Sequence, residues 1–585
     1  MHVKEPQASK SRSRQILICG LSFAFVFCSA RADARSKKLA NDLKTSGTGS
    51  IDVIVQFASA SGATHSAKVT KHGGLTKSNF SFIKSVHASV PKANLESLAS
   101  DPDVTFIAPD RRVGGQLNNA TAAVLANYAW SLGLNGSGVG VAVIDSGIHL
   151  VEDLKDSAGH SRIVYNYDAL GGGTDDQYGH GTHVAGIIAG DASLSSCSEC
   201  RLPIRGMAPN ARIINLHALD KNGNGTDSSV INAINKAIQL KGTYNIRVLN
   251  LSLGRPVYES YKQDALCQAV EAAWKAGIVV VVAAGNDGRD NSMGTSGYGT
   301  INAPGNDPYV ITVGAMNTKA TPDRGDDVMA SYSSKGPTAI DHIAKPDLVA
   351  PGNKMVSLQQ AAGSLIKLNP SNKPLNSYYS SKDATKPSTA YYILSGTSMA
   401  APVVSGAVAL MLQQRPGLTP DQVKARLMKS AYKTLPPVTT VVDGGATYTI
   451  QSDVFTVGAG YLDVQAALTN TDLAPTSVGV AQSPSAAFNS STGEAYLVSD
   501  SSALWGSSAL WGSSAVWGNN QFVGSASAVS GSSALWGSSA LWGSSALWGS
   551  SSTQGFSALW GSTALWGSSN TTQTDALAIV INGDN

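Results

Sequence analysis

Between residues 139 and 313 the sequence keeps a regular rhythm. Short apolar runs at 139–144, 212–216, 248–253, 278–282 and 309–313 are interleaved with amphipathic helical patterns at 228–240 and 263–276. A run that is apolar at nearly every position cannot turn one face to water, so each strand must be covered on both sides. Such strands alternating with helices predict an α/β fold, a parallel sheet with helices on both faces. In sheets of this kind, function gathers beyond the carboxyl ends of the strands.

Three stretches carry chemistry to that edge. The first run ends Val141-Ala142-Val143-Ile144-Asp145-Ser146-Gly147, which places a carboxylate at the end of a strand and ahead of a flexible turn. Next, Gly179-His180-Gly181-Thr182-His183-Val184-Ala185-Gly186 opens a helix rich in small residues. Its histidines stand three apart with no Glu between them and no further ligand pattern, so a zinc site is not expected. Finally, Leu394-Ser395-Gly396-Thr397-Ser398-Met399-Ala400-Ala401-Pro402 sets a hydroxyl between a glycine and a helix that stays apolar to Gln414. Free N–H groups and the dipole at a helix start stabilise negative charge beside Ser398. Pro402 is read as a first-turn proline, where a missing N–H costs little. Taken singly, Asp145 reads as a turn residue and Ser398 as a helix cap.

Together the three stretches resemble the subtilisin-like serine proteases, the subtilases, over about residues 125–470. The chain order Asp, His, Ser is that of subtilisin. The resemblance implies Asp145, His183 and Ser398 as a catalytic triad, with His183 as the base. It also implies Asn286, in Val281-Val282-Ala283-Ala284-Gly285-Asn286, as the oxyanion donor. Ser252-Leu253-Gly254 and Ala283-Ala284-Gly285 resemble the walls of the family's primary pocket, and Leu219-Asp220-Lys221-Asn222-Gly223 its cleft edge. Those walls are small and uncharged, which favours apolar or broad specificity over a dibasic preference. Segments 331–337 and 345–352 also match. The chemistry needs no cofactor, and structural calcium is compatible with the family but is not located. The interval between His183 and Gly206, where the family often has a calcium loop, holds Cys197 and Cys200 instead, and Asp220 to Gly225 is too short for a calcium loop.

The remaining chain organises around that domain. Residues 1–32 join a basic start (Lys4, Lys10, Arg12, Arg14) to an apolar run at 16–27 and a small-residue end at Ala30-Arg31-Ala32, a secretory signal pattern. The formal charge is +3; without those residues 38 basic face 39 acidic side chains. Nothing in that balance calls for nucleic acid. In an exported protein Cys197-Ser198-Glu199-Cys200 reads as a local disulfide ahead of a zinc half-site or redox pair, and Cys267 as a small buried residue. Residues 33–115, with strand patterns at 51–57 and 104–108 and a helix at 91–98, read as a small α+β module. It resembles the subtilase propeptide, the chain's own inhibitor, with self-cleavage expected in the flexible 110–123 stretch. The peptidase domain is drawn at 116–470, with 355–392 as an inserted lid. Residues 471–585 form a low-complexity tail, readable as ordered β-repeats or as a flexible Ser/Gly segment, in which Ala-Leu-Trp-Gly-Ser-Ser recurs with a period of six within three blocks: Trp505, Trp511 and Trp517, then Trp536, Trp542 and Trp548, then Trp560 and Trp566. An even period keeps each Trp on one face of an extended strand. The tail is expected to bind a surface, a polymer or itself. The functional expectation is a secreted serine endopeptidase acting on proteins or peptides; the alternative is a surface-adhesive repeat protein whose peptidase domain serves its own processing.

Overall fold

The computed structural model describes residues 38–109, 116–489, 494–498, 522–523 and 573–584, leaving out 41, 42, 44, 60, 61, 293 and 444. The signal pattern and all of the Trp repeats lie outside the described residues. Two compact units divide at Arg112/Val113.

The first unit contains β1 (Ser50–Phe57), α1 (Ala63–Lys71), β2 (Leu75–Phe80), β3 (Ser85–Pro91), α2 (Leu95–Ala99) and β4 (Val104–Pro109). The strands form one sheet in the order β2-β3-β1-β4, with every pairing antiparallel. Alternation in β1 buries Val53, Val55 and Phe57 against Val69, Val86, Leu95, Leu98 and Ile107. The helix expected at 91–98 is instead the end of β3, where Pro91 pairs with Ser50, followed by a tight turn and α2.

The second unit begins with α3 (Gln116–Ala123) and α4 (Ala126–Ser131). Residues 116–123, which read from the sequence as flexible, form a helix with Asn119, Ala120, Thr121 and Ala123 buried. Next come β5 (Gly140–Asp145), β6 (Ile163–Asp168), α5 (His180–Ala189), β7 (Arg212–His217), α6 (Asp227–Tyr244), β8 (Ile246–Leu251), α7 (Ala265–Lys275), β9 (Val279–Ala283), β10 (Ile311–Asn317), β11 (Val328–Met329) and β12 (Leu348–Pro351). They build one sheet in the order β11-β10-β9-β8-β5-β7-β6, with β12 also on β10. Only β11 runs antiparallel.

Every residue of β5, β9 and β10 is buried, the mark of strands covered on both faces. The α/β reading therefore holds. From β5 the sheet grows outward in both directions, through β7 on one side and β8 on the other. That reversal opens a crevice at the carboxyl end of β5.

Beyond β12, the hairpin strands β13 (Met355–Leu358) and β14 (Tyr391–Leu394) pair antiparallel and enclose α8 (Ser364–Leu368). Then follow α9 (Thr397–Gln414), α10 (Pro420–Ser430), the hairpin β15 (Val438–Asp443) and β16 (Ala446–Gln451), and α11 (Val464–Thr469). The edge of this unit does not fall at residue 470. Ala474 and Ala481 join a buried cluster with Tyr298 and Phe455, and Ala344 N–H donates to the Pro484 carbonyl (2.8 Å). A further antiparallel sheet follows, of β17 (Ser485–Asn489), β18 (Glu494–Val498) and β19 (Phe522–Val523). Downstream of the repeats, α12 (Gln573–Asn582) joins the main core around the parallel sheet through Ile579 and Ile581. Among the described residues, no helix is long and apolar enough to cross a membrane.

Candidate active site

Asp145, the last residue of β5, is buried at the crevice. Its Oδ1 accepts the Ser146 N–H (2.7 Å) and lies 2.8 Å from Nδ1 of His180. A carboxylate facing Nδ1 selects the tautomer protonated there and leaves the Nε2 lone pair for other work. His180 opens α5 directly after Gly179, whose φ of 104° suits glycine. Gly181 permits the close approach: a Cβ there would stand 3.1 Å from the Asp145 Cβ and 2.2 Å from the Gly147 carbonyl. Burial disfavours charge on His180, yet the carboxylates of Asp145 and Asp176 outweigh it and hold its pKa above 6.5.

The expectation that His183 partners Asp145 is thereby corrected. One helical turn deeper, His183 is buried, and its Nε2 lies 3.1 Å from the carbonyls of both Met355 and Tyr392. A nitrogen facing two acceptors must carry the proton, so Nδ1 is the bare atom, and it is buried without a partner. Burial first, and the nearby His180 second, push its pKa down to about 3. His183 is a neutral pin between α5 and the β13–β14 hairpin.

Asp176 escaped the sequence reading. Fully enclosed, it accepts from Ser146 Oγ (2.8 Å), Gly179 N–H (2.6 Å), Thr182 N–H (2.8 Å) and Thr182 Oγ1 (2.7 Å). An acidic residue four ahead of the helix start was the available signal, since a carboxylate there suits the orphan N–H groups.

Ser398 is the second residue of α9, after Gly396 at φ 141°. Its hydroxyl donates to the Ser252 carbonyl (3.1 Å) rather than to His180. Catalytic hydrogen bonds commonly tighten only once a substrate is seated. Pro402 is not in the first turn: it is the sixth residue of α9, and its missing N–H would have bonded the Ser398 carbonyl. Ser252 Oγ makes up the deficit, donating to that carbonyl at 2.8 Å. Ser252 thus holds Ser398 at both its carbonyl and its hydroxyl.

Asn286 lies just past β9. Its Oδ1 accepts the Thr397 N–H (2.9 Å) and the Thr397 hydroxyl (3.1 Å). Because a backbone N–H only donates, the facing atom is oxygen, and Nδ2 is the remaining donor. A Cβ on Gly396 would sit 3.2 Å from that Nδ2.

A cavity of about 300 Å³ is lined by Tyr178, His180, Leu219, Gly223, Ser252 and Leu253, with Gly254 beside them. Ala283 and Ala284 are buried, and neither they nor Gly285 line it. Gly254 and Gly285 both face Asn302: added Cβ atoms would meet the Asn302 Cβ at 3.1 Å and its Nδ2 at 2.7 Å. The sequence reading also missed this amide at the back of the pocket segments.

Residues 355–392, expected as a lid, line none of the cavity but pack beside it. Ser364 and Leu365 N–H groups donate to the carbonyls of Gln177 and Tyr178, so the insertion buttresses the loop that presents His180. Cys197 and Cys200 are joined in a disulfide, Cα–Cα 4.8 Å, and the Arg201 N–H beside it donates to the Tyr379 carbonyl of the same insertion. Cys267 is buried, and desolvation pushes its thiol pKa upward. Among the described residues, no group of three His, Cys, Asp or Glu side chains converges to hold a metal.

A histidine and a serine opening two helices at the switch point of a parallel sheet, with a strand-end carboxylate behind the imidazole, define a serine hydrolase of the α/β class. Residues 136–471 match the family model described as subtilase family, peptidase S8, and the chain belongs to that family. It is 38% identical to serine protease AprX of Bacillus subtilis (strain 168) over 371 residues, covering 61% of this chain and 76% of that protein. It is 32% identical to subtilisin E of the same strain over 422 residues, 71% and 89% of the two chains. The thermophilic serine proteinase of Bacillus sp. (strain AK1) is 32% identical over 381 residues, 62% and 78%. The chain is a subtilisin-like serine endopeptidase.

Proposed function

We propose that peptide hydrolysis runs through Asp145, His180 and Ser398, with Asn286 as oxyanion donor, in an enzyme made as an exported, self-inhibited precursor. The observation that carries the triad is the 2.8 Å contact between Asp145 and His180 at the mouth of the cavity that Ser252 and Leu253 line. Ser398 Oγ attacks the scissile carbonyl while its proton passes to His180 Nε2. Asp145 steadies the imidazolium. Asn286 Nδ2 and the Ser398 N–H bind the oxyanion. The C–N bond breaks as His180 returns the proton to the leaving amine. Water then attacks the acyl-enzyme, gives its proton to His180, and releases the acid as Ser398 is reprotonated. The small, uncharged Ser252-Leu253-Gly254 segment favours apolar or broad specificity on protein substrates, with the paired Arg255 and Asp227 as the charged part of the lining.

The four-stranded module before Arg112 supports an inhibitory propeptide. Since 116–123 is a packed helix, self-cleavage is assigned to 110–115, outside the described residues. A basic leader supports export, and attachment to a surface, a polymer or itself is the role proposed for the repeats.

The test is labelling of the purified protein with a serine-directed phosphonate beside hydrolysis of casein. His180→Ala is expected to abolish both, while His183→Gln keeps labelling at Ser398. Loss of labelling in neither variant, or labelling away from Ser398, would refute the triad. A Ser398→Ala chain that still matured when expressed alone would remove self-processing.

A further inference from the structure

One segment lies against the catalytic crevice although nothing in the hydrolytic chemistry calls for it. Residues 577–584 follow the repeats, and Ser395, three residues ahead of Ser398, donates its backbone N–H to the Val580 carbonyl at 2.8 Å. Val580 also lines the cavity shared by Tyr178, His180, Ser252 and Leu253.

The seat is built for this segment. Asp584 is fully buried: Oδ1 accepts from Arg289 Nη2 (2.6 Å) and Ser331 Oγ (2.6 Å), and Oδ2 from Ser331 N–H (2.7 Å). Asn353 closes a two-way clamp, with Oδ1 accepting the Asp584 N–H (2.8 Å) and Nδ2 donating to the Asp584 carbonyl (3.0 Å). Asn372 donates to the Ile581 carbonyl. Gly583 sits at φ 61°, and a Cβ there would stand 2.2 Å from Asn353 Oδ1 and 2.3 Å from Ser395 Oγ, so only glycine passes. A buried carboxylate is tolerated only when fully paired, and here every oxygen is taken.

An extended peptide lying across Ser398 has its acyl part along Ser252 to Gly254. Its leaving-group part must then run past 395–396. Main-chain donors at such an edge recognise extended peptides whatever their sequence, and this one is already occupied. We propose that residues 577–584 are a built-in strap over the leaving-group side of the cleft, anchored by Asp584 and displaced by substrates that extend beyond the scissile bond. This rests on the catalytic reading above.

The experiment compares the full chain with one lacking 573–585 on two substrates of identical acyl part. One carries a p-nitroanilide, and the other continues for four residues past the scissile bond. Deletion is expected to raise kcat/KM for the extended peptide about tenfold, the scale of one recovered hydrogen bond, while the anilide changes less than twofold. A synthetic 573–585 peptide added in trans should compete with the extended peptide. Asp584→Asn in the full chain, which removes the anchor alone, should give the same selective rise and stands in if the deletion does not fold. Equal changes on both substrates, or none, would overturn the strap while anilide turnover shows the triad intact. No anilide turnover by any form would overturn the catalytic reading and the strap with it.

Discussion

Pro402 and Ser252 form a compensating pair whose energy can be measured. The proline withdraws the N–H that would bond the Ser398 carbonyl, and Ser252 Oγ supplies a replacement at 2.8 Å. Ser252→Ala takes the side-chain donor from that part-buried carbonyl, at a cost of about 1–2 kcal/mol. It also removes the acceptor for Asn250 Nδ2 (2.9 Å). Pro402→Ala restores a backbone N–H in helical register, so the carbonyl part of the penalty vanishes in the double variant while the Asn250 part remains. A double-mutant cycle should therefore give a coupling of about 1–2 kcal/mol. Denaturant titrations in a Ser398→Ala background, which excludes autolysis, measure it. The same cycle on kcat/KM with Ser398 intact should recover activity lost in Ser252→Ala by about tenfold, since 1.4 kcal/mol is one decade. A coupling below about 0.5 kcal/mol would show that the two groups do not share the Ser398 carbonyl.

Asn286→Ala should lower kcat about 10²–10³-fold with KM little changed; that general figure comes from a subtilisin, a member of this family. Because Asp145 and Asp176 hold the His180 pKa above 6.5, kcat/KM should fall as pH drops through a value above 6.5, and Asp145→Asn should both move that limb to lower pH and depress the plateau. His183 has the opposite sign. Its folded pKa, about 3, lies below the unfolded 6.5, so the folded state binds fewer protons and stability is lost as pH falls from 6.5 toward 3. His183→Gln should flatten that acid loss in unfolding measurements across pH 3 to 7. Asp153, buried and pushed up to about 6 from 3.8, holds its proton more tightly when folded, so its contribution to stability declines as pH rises from 3.8 to 6. Asp153→Asn should remove that decline in the same titration.

The sheet was legible because strands covered on both faces announce themselves. The run at 212–216 is β7 to within a residue, and 278–282 differs from β9 by one at each end. β6, Ile163-Val164-Tyr165-Asn166-Tyr167-Asp168, was missed because it is an edge strand with only its first residue buried, and its polar alternation resembles loop. Asp145, Asn286 and Ser398 were readable as ends of elements. The choice between His180 and His183 was harder, since both lie in one motif and only depth separates them. A residue opening a helix faces the crevice, whereas one a turn further in faces the packing layer. The role of Pro402 depended on where α9 begins, and a shift of that start decides whether a carbonyl is orphaned. Partnerships such as Arg289 with Asp584, far apart in the chain, have no local pattern to betray them.

That last pairing bears on the order in which the molecule is finished. Arg289, Ser331 and Asn353 are synthesised long before Asp584, and the sheet, α5 and α9 can all assemble meanwhile from residues already made. Contacts of such separation close late, because the intervening chain must be ordered or looped first. On the proposed triad, Asp145, His180 and Ser398 all belong to elements made before that segment, and the contact from Ser395 to Val580 can form only once it arrives. An interrupted or clipped chain would carry the same catalytic groups with a differently shaped entrance.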